Sequence, residues 1–326
     1  MTNHELTWLP NLINSVERKS QRESYGKTLV RLGEDQRVVV LDADLSTSTH
    51  TSMFGNKFKE RFFNMGISEN NMIGVAAGLA STGLIPFASS FAVFATGRDY
   101  DFVRQSVCYS NQNVKIVATH AGLTVGEDGA THQMIEDLGL MSGLPNMTVI
   151  SPADAPETEG AVEFLYEFRG PAYMRLSREK VPVVHQDKNF QFKKLEVLKD
   201  GDDVTIIATG IMVYAAMVAA DYLKHKGLDV AVLNASTIKP IDSETILKYA
   251  RKTGLIITSE EHNIINGLGS RVSEIVSENY PSVVIRHGVP DAFGESGSAW
   301  ELMDKYMLNP LGIVRKIEQG LEVRKK

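Results

Sequence analysis

Short, unbroken runs of aliphatic and β-branched residues recur along the chain, each followed by a stretch with helical spacing. In the first part the runs are VVVLDAD (38–44), ERFFNMG, IPFASSF, VKIVATH (114–120), MTVISPAD (147–154) and PAYMRLSR (171–178). A strand with one wet face alternates polar and apolar residues. These runs do not, so both faces of their sheet must be covered. Helical stretches separate them, among them SQRESYGKTLVRLG, stopped by Gly33, and APETEGAVEFLYEFR. Alternation of this kind predicts an α/β fold with a mostly parallel sheet flanked by helices. After Arg178 the composition turns polar through EKVPVVHQDKNFQFKKLEVLKDGDD, and a second alternation begins at VTIIATG. Two tandem α/β domains are therefore expected, residues 1–188 and 189–326, and 326 residues suffice for two cores.

Charge and cysteine usage narrow the function classes. A net charge of −6 argues against nucleic acid as a partner, while leaving room for a local basic site that grips one phosphate. No apolar run approaches the roughly 20 residues that cross a bilayer. The opening MTNHELTWLPNLINS lacks the charged start, apolar middle and small-residue cleavage site of a secretory leader. A cytoplasmic protein without membrane contact is the expectation. Cys108 is the sole cysteine, which excludes an intrachain disulfide, and its context VRQSVCYS reads as a buried helix position.

In open parallel sheets, ligands bind beyond the carboxyl ends of the strands. In the first half those ends carry Asp44, Glu69, Phe91, His120 and Arg178. Glu69 lies in FNMGISENNMIGVAAGLA (63–80), where the chain turns at Gly66 and Ser68 is placed to cap the following helix. That helix contains Gly74, Ala76, Ala77 and Gly78. Interior glycine costs roughly 1 kcal/mol against alanine, so a face this flat implies close approach of another backbone. The loop HAGLTVGEDGATHQ (120–133) holds two histidines, two acids and three glycines. His120, Glu127, Asp128 and His132 could ligate a metal, but their spacing matches no common zinc or di-metal signature, and no metal is assigned to this chain. Gly267, Gly269 and Ser270 lack the spacing of a dinucleotide fingerprint and read as a turn opening a helix. GESGSAWEL reads as a helix entry after a glycine-rich loop, with Asp291 and Glu295 nearby.

DADL with its hydroxyl-rich loop, GISENNM, SSFAVF, HAGLTVGEDGATHQ and RLSR occur in an order that resembles the C-terminal half of a transketolase. The resemblance runs from about residue 20 to near the end of the chain. It implies the pyrimidine-binding domain of the thiamine diphosphate fold followed by the transketolase C-terminal domain. Glu69 matches the glutamate that hydrogen-bonds the cofactor's pyrimidine ring and promotes its imino tautomer, and with it the ylid that attacks a ketose. Ser68 departs from the commoner form of the motif, which has a larger polar residue there. Phe91 and Phe94 match the aromatic positions packed on that ring, and Asp44 an aspartate of the cofactor pocket. Asp128 and His132 match residues that hold sugar hydroxyls and move protons. Arg22, Ser48, His120 and Arg178 match the cluster that grips the sugar phosphate.

The family's other half carries a GDG motif that holds magnesium and the diphosphate, and no GDG occurs in this sequence. The resemblance thus implies a split enzyme (EC 2.2.1.1) whose N-terminal subunit supplies GDG and Mg2+, assembled as a heterotetramer with two copies of each chain. The expected reaction moves a two-carbon ketol unit from a ketose phosphate such as xylulose 5-phosphate to an aldose phosphate such as ribose 5-phosphate. A 1-deoxyxylulose-5-phosphate synthase shares this half, as does the β subunit of a 2-oxo acid dehydrogenase. His120 disfavours the first and the GEDG-x-THQ spacing the second. A thiamine-fold chain serving only as a structural or regulatory partner is the non-enzymatic alternative.

Overall fold

The computed structural model describes residues 6–325. Its strands are β1 (Arg18–Lys19), β2 (Val38–Asp42), β3 (Phe62–Asn64), β4 (Ile85–Ser89), β5 (Lys115–Ala118), β6 (Thr148–Ile150), β7 (Ala172–Arg175) and β8 (Val181–Pro182). There follow β9 (Glu196–Lys199), β10 (Val204–Ala208), β11 (Val230–Asn234), β12 (Thr237–Lys239), β13 (Leu255–Asn263) and β14 (Val283–Val289). A seven-stranded sheet has the order β12-β6-β7-β5-β4-β2-β3, and a five-stranded sheet the order β14-β13-β10-β11-β9. Pairing is parallel within β2 to β7 and among β10, β11, β13 and β14. The antiparallel strands are β9 and β12 at sheet edges, with the separate pair β1–β8. The mostly parallel α/β architecture read from the sequence is the one found.

The apolar runs behave as their lack of alternation requires. Every residue of β2, β4, β5, β10 and β11 is buried. Each fully buried valine or leucine contributes about 1.5–3 kcal/mol of transfer free energy, which both faces collect only when helices cover them. One core cluster on the first sheet includes Tyr25, Leu29, Phe54 and Phe87, beneath the helix Gln21–Leu32. Ser20 caps that helix by accepting the Glu23 N–H, and Gly33 ends it.

The two halves interlock. The edge strand β12 leaves the second half and pairs antiparallel with β6 of the first sheet. Trp8, near the start of the chain, packs in the core of the second half, its ring centroid 5.1 Å from that of Trp300. Its indole N–H donates to the Leu308 carbonyl, and Asp304 accepts the backbone N–H groups of Trp8 and Leu9. Neither β12 nor the Trp8 contacts have a local signal, because both are defined by partners far along the chain.

Two local expectations change. The helix expected around VRQSVCYS belongs to three helical segments, Val93–Arg98, Tyr100–Phe102 and Val103–Tyr109, the first and last π-type. Cys108 within it is buried, as expected. At the helix Glu69–Ser81, Ser68 occupies the N-cap position but its side chain makes no capping bond. A Cβ on Gly78 would meet nothing within 4 Å, and one on Gly74 would touch only the Phe102 ring, at 3.7 Å. Among the described residues, then, no backbone of this chain closes on either glycine. Among them, too, no helix is long and apolar enough to cross a membrane.

Candidate active site

Four adjacent strands of the first sheet, β7, β5, β4 and β2, point their carboxyl ends at one region. Beyond β4 the chain passes through Phe91, which bridges to Thr119 beyond β5, so Phe91 and His120 are brought side by side. Their rings stack, with centroids 3.7 Å apart and planes 21° apart. Phe94, one helical turn on, lies 6.1 Å from Phe91 at 14° to it. His132, at the far end of the loop 120–133, sets its ring edge against Phe94 at 5.4 Å and Phe91 at 6.5 Å. Phe91 is buried while Phe94 and His132 are half-buried, so the aromatic shelf is open on one side.

Glu69 begins the helix Glu69–Ser81 and is 3% exposed. Arg98 Nη1 donates to both of its carboxylate oxygens, at 3.0 and 2.9 Å. The same guanidinium lies 4.6 Å over the Phe94 ring. The shelf thus accepts a planar, hydrogen-bond-donating group between a buried carboxylate and a phenyl face. Arg98 went unremarked in the sequence, although its position four residues after Phe94 on a helical segment is the spacing that stacks the two. Beside it Asp99 is wholly buried and neither carboxyl oxygen has a partner. Burial, reinforced by the charge of Glu69, pushes its pKa up to about 7.

The other wall is basic. Arg22 Nη1 donates to the Ser48 carbonyl at 2.6 Å and Nη2 to the Arg178 carbonyl at 2.5 Å. Arg178 donates from Nη1 to the Val125 carbonyl and to Glu127, at 2.5 and 2.6 Å. Burial and the neighbouring Arg178 lower the pKa of Arg22. His120 is pushed down to about 3 by burial, then by the charges of Arg22 and Arg178 and by His132, so its imidazole is neutral. Its Nδ1 is paired with the Thr119 hydroxyl at 2.8 Å. Arg22, Ser48, His120 and Arg178 are therefore brought together. His50, lowered by burial and by Arg22, borders the same cluster and was missed because it ends the loop in a left-handed conformation that the sequence does not signal.

Asp128 and Asp44 are exposed. Asp128 projects near enough to Arg178 to help raise that guanidinium's pKa, behind the larger effect of the Glu127 contact. Asp44 accepts from Asn64 Nδ2 at 2.9 Å, which joins it to the turn before Glu69 rather than to the shelf. Buried Asp42 organises that loop by accepting from the Leu45 N–H and the Thr49 and Thr51 hydroxyls.

Among the described residues, Asp154, Glu157 and His185 alone offer three potential metal ligands within 4.8 Å of one another. Their oxygens are already engaged. Asp154 accepts the backbone N–H groups of Glu157, Val184 and His185. Glu157 accepts from the Ala153 N–H, the Asn234 amide and the Ser236 hydroxyl. His185 is raised to about 10, burial being overcome by its bonds to Asp154 and Glu196, so the trio reads as a buried ion-pair network.

Comparison with known proteins agrees with this geometry. Residues 18–184 match the transketolase pyrimidine binding domain and residues 193–313 the transketolase C-terminal domain. The chain is 46% identical to a transketolase C-terminal section of Methanocaldococcus jannaschii, over 93% of this chain and 97% of that one. It is 41% identical to a 6-deoxy-6-sulfo-D-fructose transketolase subunit of Clostridium sp. (strain MSTE9), over 92% and 94%. A solved structure described as a split gene transketolase, inactive beta4 tetramer, superposes with a TM-score of 0.87 at 50% identity, covering 93% of this chain and 98% of that one. The chain belongs to the transketolase family, with that family's pyrimidine-binding and C-terminal domains in tandem.

Proposed function

We propose that this chain is the C-terminal subunit of a split transketolase, moving a two-carbon ketol unit from a ketose phosphate to an aldose phosphate with thiamine diphosphate. The observation that carries the reading is the buried Glu69 carboxylate beside the Phe91–Phe94 shelf, faced across His120 by Arg22 and Arg178. Xylulose 5-phosphate and ribose 5-phosphate are the donor and acceptor we favour. Residues 1–188 and 189–326 are taken as the two domains, and the cytoplasm as the location.

The residues present fit the pyrimidine half of the cofactor once the half-exposed Arg98 swings off Glu69 and Phe94: Glu69 would then accept from its ring edge, and Phe91 and Phe94 would pack on its face. Thiamine diphosphate, when bound, supplies the electron sink that ketol transfer requires. Buried Glu69 would hold the hydrogen bond at that ring edge. Neutral His120 would donate a hydrogen bond to the sugar phosphate without charge repulsion from the guanidiniums. Half-buried His132 reaches both shelf and solvent and would move a proton at the donor hydroxyl, with Asp128 orienting the neighbouring hydroxyls. Arg22, Arg178, Ser48 and His120 would bind the phosphate, since guanidinium matches its oxygens and the Arg178–Glu127 pair is exposed enough to open.

The diphosphate and Mg2+ would be held by an N-terminal partner carrying GDG. Two copies of each chain would form the enzyme, with the open Gly74–Gly78 face at the contact. The test is ketol transfer by the chain co-purified with such a partner. Glu69→Ala is expected to lower kcat at least about 1,000-fold with circular dichroism unchanged. Near-normal turnover, or full activity of this chain alone with Mg2+ and thiamine diphosphate, would sink the reading.

A further inference from the structure

The loop 120–133, which carries Asp128 and His132, is anchored from the second half of the chain. Glu261, near the carboxyl end of β13 and 6% exposed, accepts the Thr124 N–H at 2.6 Å across 137 residues of sequence. Gly122 adopts φ +83°, and a Cβ there would fall 2.3 Å from the Glu261 carboxyl carbon. Only glycine lets the loop close on that carboxylate. The Glu261 carbonyl accepts from Arg175 Nη1 at 3.2 Å, and Arg175 is paired through Nε with Asp137 at 3.1 Å, so the acid stands on a fixed base. At the far end of the loop, Gln133 donates to the Glu295 carbonyl at 2.9 Å and to the Leu123 and Gly126 carbonyls at 3.3 Å. Between these anchors, Gly126 and Gly129 pack on Gly297 and Ser296, just before the helix Ala299–Lys305.

We infer that Glu261 is a positioning residue for the proposed reaction, through which the second half of the chain fixes the loop that presents Asp128 and His132. The inference rests on the functional reading above. It gives the C-terminal domain a part in the chemistry that does not require it to touch substrate. Burial raises the Glu261 pKa to about 7, and its carboxyl oxygen can accept the Thr124 N–H in either protonation state. Loss of that bond frees the first part of the loop while the Gln133 anchor at its far end remains.

The test compares the wild type with Glu261→Ala and Glu261→Gln. In the full chain, hydrogen exchange across residues 120–133 is expected to quicken about 10-fold in Glu261→Ala. Exchange in β10 and β11 should stay as in the wild type. In the enzyme assembled with its N-terminal partner, Glu261→Ala should lower kcat/KM about 10-fold, and equally for phosphorylated and unphosphorylated ketoses. Glu261→Gln keeps a carbonyl acceptor for Thr124 and should recover to within about threefold of wild type. Unchanged loop exchange, or a Gln variant as impaired as the Ala variant, would overturn the inference. So would a fall in melting temperature with kcat/KM intact. If Glu261→Ala does not fold, Glu261→Asp withdraws the carboxylate by one methylene and takes its place in both measurements. An assembled wild type without ketol transfer would refute the functional reading instead, while the exchange result would still decide whether Glu261 tethers the loop.

Discussion

Arg178→Ala separates phosphate recognition from chemistry. The Arg178 side chain is 31% exposed and shares Nη1 between the Val125 carbonyl and Glu127, whose own side chain is 67% exposed. An ion pair that wet is worth about 0–1 kcal/mol, so a phosphate displaces Glu127 at little cost. A charge-assisted bond to a phosphate oxygen contributes about 1.5–3 kcal/mol, and partial exposure puts the net loss near about 2 kcal/mol. At about 1.4 kcal/mol per decade, kcat/KM for a phosphorylated ketose should fall about 30-fold, chiefly through KM. An unphosphorylated ketose should lose less than about threefold. Arg22→Ala should cost more, since Arg22 also holds the Arg178 and Ser48 carbonyls in place. The assay is initial-rate kinetics on both donors with the assembled enzyme. Equal losses on the two donors would refute the phosphate role and point to the loop contact with Val125 as what Arg178 provides.

Two further perturbations address assembly and stability. Gly78→Leu should not lower the melting temperature of the isolated chain, because a Cβ at that position meets nothing and leucine favours the helix, yet abolish co-purification with the N-terminal partner; retained binding would remove the helix from the interface. His185 has its folded pKa raised to about 10 from an ordinary 6.5, so its contribution is complete below pH 6.5, declines as the pH climbs, and is gone above 10. Urea unfolding should lose about 2 kcal/mol between pH 7 and 10 that His185→Gln does not lose, and parallel pH profiles for the two would exclude the imidazolium as the source.

Much of the fold was legible because burial on both faces writes itself into composition. VVVLD and VTIIA have no alternation to lose, and each is buried throughout. The site was legible where strand order brings residues together: Phe91, His120 and Arg178 follow three neighbouring strands, so knowing the sheet places them side by side. What escaped the sequence depends on side-chain reach or distant pairing. Arg98 and Asp99 read as ordinary helix residues until Glu69 is put beside them. Glu261 reads as the end of LIITSEE, and only the packing of the two halves brings it to Thr124. β12 offers three residues, TIK, to a distant edge at Ile150, too short a segment for any period to mark.

The same physics explains why half a cofactor site could be recognised in one chain. Pyrimidine recognition needs an acceptor and an aromatic face, and on the proposed function Glu69, Phe91 and Phe94 would provide both from a single sheet edge. Diphosphate recognition needs a cation and converging donors, and the cations near the shelf, Arg22 and Arg178, stand on its His120 side, directing donors to the Ser48, Arg178 and Val125 carbonyls and to Glu127. Their charge also bears on His120, which cannot carry a proton's charge beside them. A dianion small enough to enter between the two guanidiniums relieves that repulsion. A diphosphate reaching the Glu69 shelf from the same side would have to cross it. On the function proposed above, a sugar phosphate would approach from the arginine end of the shelf and the cofactor diphosphate from the other, the division of labour expected of a site shared by two subunits.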